Sequence, residues 1–61
     1  MDKIILTLDK ENFPFVLRQF SLEEAKEKAI DMCLARKQEI TEANLYSCLS
    51  TLETDLAEMF G

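Results

Sequence analysis

The sequence predicts a mainly α fold: a short N-terminal strand or arm, a short helix, then an antiparallel αα-hairpin assembling as a dimeric four-helix bundle. Three observations carry that expectation. Leu45, Leu49, Leu52, Leu56 and Met59 recur at alternating steps of four and three, the seam spacing of a packed helix. Ser21-Leu22-Glu23-Glu24 has the form of a capping box opening another helix. The only glycine is Gly61 and the only proline is Pro14, which favours helices joined by short links over a sheet with many tight turns.

Length sharpens the expectation of a dimer. The 61 residues make a single small domain, 1–61. A chain this short buries only about 60% of the surface that its unfolded form exposes, so a lone core is marginal and self-association is a cheap remedy. Hydrophobic residues at 48% and charged residues at 31% place it among folded rather than disordered chains.

Residues 1–8 read as a strand-like arm. Ile4, Leu6 and Leu8 fall on one face of an extended segment, with Ile5 and Thr7 on the other. Such a segment pairs with its own copy across a two-fold axis, adds to the sheet of another protein, or lies as an apolar arm on the helices. Asp9-Lys10-Glu11-Asn12 marks a turn. Residues 13–20 then place Phe13, Val16, Leu17 and Phe20 on one side of a short helix, with Pro14 in its first turn and Asn12 available as a cap. The competing reading makes this segment the second strand of a hairpin, with Phe15 and Leu17 inward and Pro14 at the edge.

The next helix is expected over 22–37, with Leu22, Ala25, Ala29, Met32 and Cys33 on its inner face and Ile30 and Leu34 extending that face. Glu23 and Glu24 in the first turn, and Arg36 and Lys37 in the last, complement the macrodipole. Small Ala25 and Ala29 leave a groove for Leu49 and Leu52. The last helix is expected over 42–60, opened by Thr41 as N-cap, with Ile40 able to staple onto Leu45.

Charge is uneven. The total is −5, yet residues 1–37 hold seven acids and seven bases, so Glu39, Glu42, Glu53, Asp55 and Glu58 carry the whole excess with no base among residues 38–61. An acidic half repels phosphate, so nucleic acid is an unfavoured partner. A ribbon-helix-helix DNA-binding dimer would present Lys3, Ile5 and Thr7 from its ribbon, but the helices that follow carry no basic phosphate clamp.

Catalytic chemistry finds little footing. Without histidine, Ser-His and Cys-His pairs are excluded, and one terminal glycine builds no phosphate loop. Cys33 and Cys48 stand fifteen apart with no further Cys or His, too few ligands for zinc. Buried free thiols in a reducing cytosol are the expected state, although a bond between the two long helices is geometrically conceivable. A redox role ranks below core packing, since Cys33 precedes Arg36 and Lys37 by one turn but lies in the wrong half of its helix. No enzyme activity, metal, cofactor or small-molecule substrate is expected. No apolar run approaches the roughly 18 residues of a membrane span, so a cytoplasmic location is expected.

The sequence therefore points to a small protein-interaction module acting as adaptor, inhibitor or accessory subunit. Leu45, Leu49, Leu52, Leu56 and Met59 would mediate assembly into a homodimer or onto another protein, and Ile4, Ile5 and Leu6 would serve strand addition. The alternative from another class is an acidic decoy in which Glu42, Glu53, Asp55 and Glu58 imitate phosphate charge and block a nucleic-acid-handling enzyme.

Overall fold

A computed structural model describes residues 5–61. Three helices pack together: α1 (Pro14–Gln19), α2 (Leu22–Ala35) and α3 (Glu42–Phe60). α2 and α3, joined by a short link, form the antiparallel hairpin, and α1 packs against both. The radius of gyration is 11.1 Å, close to the about 10.5 Å of a compact domain of this length.

The helix starts follow their local signals. The Ser21 hydroxyl accepts from the Glu24 N–H at 3.2 Å, and the Glu24 carboxylate accepts from the Ser21 N–H at 3.4 Å, completing the capping box. Thr41 accepts from the Asn44 N–H at 3.2 Å, while the Asn44 amide donates to the Glu39 carbonyl at 2.8 Å and ties the link to α3. Ile40 packs against the core that contains Leu45.

α1 is a helix, not the second strand of a hairpin. Its start departs from expectation, because Asn12 is not the cap. The Asn12 N–H and side-chain amide donate to the two Asp9 carboxylate oxygens at 2.8 and 3.2 Å, and the Phe13 N–H donates to the Asp9 carbonyl at 2.9 Å. Asp9 thus organises the turn that delivers Pro14 to the first helical position.

α2 ends at Ala35, two residues before the expected boundary, so Arg36 and Lys37 lie outside its last turn. The Gln38 N–H donates to the Cys33 carbonyl at 2.9 Å and the Lys37 N–H to the Leu34 carbonyl at 3.1 Å, the paired bonds of a Schellman motif. That motif needs a left-handed residue after the cap, and Lys37 takes it with φ 57°. A lysine there bears a steric cost that glycine escapes. Lys37→Gly is expected to stabilise the fold by about 0.5–1 kcal/mol, read as a higher urea midpoint; an unchanged or lower midpoint contradicts the strained-turn assignment.

The core consists of Leu6, Phe13, Val16, Ala25, Ala29, Cys33, Leu45, Cys48, Leu49 and Leu56, with Leu8, Phe15, Leu17, Phe20, Met32, Ile40, Tyr46 and Leu52 packed around it. Ala25 and Ala29 are fully enclosed in that cluster, as small residues at a helix–helix contact allow. On α2 the buried stripe is narrower than expected. Ala25, Ala29 and Cys33, a strict step of four, are enclosed, whereas Leu22, Ile30 and Leu34 are exposed. One step along a helix turns the side chain by about 100°, so Ile30 and Leu34 point away from the seam that their neighbours Ala29 and Cys33 line.

Residues 5–8 carry no strand and run as an arm against the helices. Leu6 is buried and Leu8 half-buried, with Ile5 and Thr7 outward, so the expected alternation of faces is present over these residues. One hydroxyl holds the arm: Tyr46 Oη accepts from the Thr7 N–H at 2.8 Å and donates to the Thr7 carbonyl at 3.2 Å. Ile4, assigned with Ile5 and Leu6 to strand addition, lies outside the described residues.

Candidate functional site

The residues expected at an interface divide by depth. Leu45, Leu49 and Leu56 are enclosed within one chain at 1, 0 and 9% exposure, and Leu52 is half-buried against the same core. Met59 alone of the seam stands open, at 73%. Leu6 is buried and Ile5 is 64% exposed. As folded, three of the five seam residues have little surface left to offer another molecule.

A different apolar surface is open instead. Leu22 (53%), Ile30 (37%) and Leu34 (61%) lie along the outer side of α2, and Met59 and Phe60 (55%) end α3. The α2 residues share the row 22–26–30–34, rungs of four on one helix face. Half-buried Lys26 fills the remaining rung. In the antiparallel hairpin, Leu22 at the start of α2 lies toward the end of α3, where Met59 and Phe60 stand. The sequence carries a signal for this row: Leu22, Ile30 and Leu34 stand one step outside the row of Ala25, Ala29 and Cys33.

Two further features carry polar chemistry. The first is the Glu53 carboxylate, which reaches across from α3 to accept from the Phe15 N–H at 3.0 and 3.2 Å and from the Val16 N–H at 3.0 Å. It caps α1 from thirty-seven residues away in sequence, satisfying donors that a helix start leaves orphaned. Glu53 also lines an open groove of about 590 Å³ with Thr7, Asn12, Phe13, Tyr46, Ser50 and Thr54. The groove has room for a small molecule, but three of its polar side chains are engaged within the chain. The Tyr46 hydroxyl holds Thr7, the Thr54 hydroxyl donates to the Ser50 carbonyl, and Glu53 holds α1.

The second feature is the buried thiol pair. Cys33 and Cys48 Sγ are 3.3 Å apart, unbonded and fully enclosed. Burial pushes the Cys33 thiol above its ordinary value; the hydrogen bond and charge of Cys48 push the same way, and the Arg36 guanidinium opposes them. Among the described residues, no group of three or more Cys, Asp or Glu side chains converges as a metal site, and no helix is long and apolar enough to cross a membrane.

Comparison with protein-family models, with curated proteins and with solved structures finds no match to this chain.

Proposed function

We propose that the chain is a small protein-interaction module, an adaptor, inhibitor or accessory subunit, whose docking face is the outer row of α2 continued by the end of α3. The observation that carries this reading is the exposure of Leu22, Ile30, Leu34, Met59 and Phe60 on a domain whose core is otherwise enclosed. Isolated apolar residues at a surface are ordinary, whereas a row of them along one helix face is the form that helix-in-groove recognition uses. A homodimer through this face is its simplest assembly. The acidic-decoy alternative is weakened by Glu53, whose carboxylate is committed to α1.

Leu34→Glu tests the reading, because it charges the row without touching the core. The wild-type chain is expected to sediment above its 7.0 kDa chain mass at about 100 µM, or to retain from the cells that encode it a partner that the Leu34→Glu chain fails to retain. The variant is expected to keep its helicity and melt within about 0.5 kcal/mol of wild type, as surface substitutions do. Equal association by both chains, or none by either, contradicts the docking face. Binding that collapses between about 50 and 200 mM salt favours the decoy instead, since apolar contacts are insensitive to screening.

A further inference from the structure

Cys33, near the end of α2, and Cys48, in the second turn of α3, place their sulfurs 3.3 Å apart across the hairpin. Packing alone asks only for small apolar side chains at these positions, whereas two sulfurs in contact add a chemistry that packing does not require. A disulfide needs them about 1.2 Å closer, a shift within the reach of small side-chain adjustments. Two side chains of the α2–α3 link reach the pair: Arg36 Nη1 lies 3.8 Å and Gln38 Oε1 3.9 Å from Cys48 Sγ, and both residues are themselves exposed. Between them stands Lys37 in its left-handed conformation, so the link that touches Cys48 is also the strained segment. Local opening of such a turn costs less than global unfolding.

We propose that Cys33 and Cys48 are a redox-modification site, forming an intrachain disulfide when the chain meets a low-molecular-weight disulfide such as oxidised glutathione. With the turn open, the Cys48 thiol gives its proton to water, and its thiolate attacks one sulfur of the reagent. The reagent's S–S bond breaks, a mixed disulfide forms on Cys48, and the departing thiolate takes up a proton. Cys33 then loses its proton and attacks Cys48 Sγ. The mixed disulfide breaks, the second thiolate leaves and is protonated, and the Cys33–Cys48 bond remains. Two protein thiols are oxidised, one reagent disulfide is reduced to two thiols, and no net proton is gained or lost. The raised Cys33 thiol and the enclosure of both sulfurs make the reaction slow rather than forbidden. The bond clamps α2 to α3, and this assignment is independent of the docking face.

The full chain, reduced and then equilibrated in glutathione buffers of rising oxidised fraction, is quenched in acid, unfolded, alkylated and weighed. The expected product is a single chain two hydrogens lighter than the reduced form, without alkyl label, and restored by dithiothreitol. Closing a loop between residues fifteen apart is expected to raise its Tm by roughly 10 °C or more. Cys33→Ala and Cys48→Ala are each expected to abolish the product, and the wild-type mass decides the matter even where a variant folds poorly. A wild-type chain that keeps two alkylatable thiols in every buffer, or yields only glutathione adducts or cross-linked dimers, overturns the assignment. So does an oxidised product that melts below the reduced chain.

Discussion

Leu49→Ala is expected to remove about 2–5 kcal/mol of stability, the larger part of what a chain of this length possesses. Native stability of roughly 0.05–0.15 kcal/mol per residue gives 61 residues about 3–9 kcal/mol in all. Leu49 is fully enclosed in the hydrophobic core, where truncation leaves a space that the surroundings only partly fill. The lost transfer energy and the unfilled cavity therefore add. Urea unfolding followed by far-ultraviolet circular dichroism checks the effect, with Leu34→Ala as the partner measurement. The Leu34 variant is expected within about 0.5 kcal/mol of wild type, because that side chain is 61% exposed. A larger loss at Leu34 than at Leu49 would mean that the inner and outer faces have been exchanged.

Glu53→Ala is expected to cost about 1.5–3 kcal/mol, the range for hydrogen bonds to a charged group, and to act on α1 more than on the hairpin. α1 has six residues, far short of the length at which a helix holds itself. Its N-cap, Phe13, makes no side-chain capping bond. The Glu53 carboxylate is what the Phe15 and Val16 N–H groups have in its place. Without it those two amides are expected to exchange with deuterium far faster than amides of α2 and α3. Glu53→Gln, which keeps one oxygen acceptor and loses the charge, is expected to fall between wild type and alanine. Unaltered protection of Phe15 and Val16 in the alanine variant would assign the start of α1 to local packing instead.

What the sequence made legible was mostly local. The capping box at Ser21 and the Thr41 cap depend on residues three apart, so their geometry follows from the letters. The periodicity of Leu45, Leu49 and Leu56 marked the buried side of α3 correctly, because burial is what a step of three and four encodes. It does not encode what covers that side. The arm, through Leu6, and α1, through Phe13 and Val16, join the core alongside α2, so Leu45, Leu49 and Leu56 are enclosed within one chain.

Other features had no local signature. Glu53 reads as one more acid on a polar face until folding brings α1 over it, and its partners stand thirty-seven and thirty-eight residues away. The end of α2 falls two residues before the expected boundary because the Schellman turn is built on Lys37 rather than on glycine. Asn12, a fair cap by residue type, was drawn off by Asp9 three residues earlier, a competition that cap preferences do not register. Leu22, Ile30 and Leu34 read as inward by residue type, because an apolar side chain does not itself encode how wide a face its neighbours cover.

The central claim is that a single copy closes its own leucine-lined core and keeps a separate apolar row for docking. Sedimentation and circular dichroism on one dilution series, carried down until the chain runs at 7.0 kDa, test it most directly. The account predicts that the dilute monomer retains the helicity of the concentrated sample and still melts cooperatively. Helicity that disappears in step with dissociation would contradict it, placing Leu45, Leu49 and Leu56 back between chains.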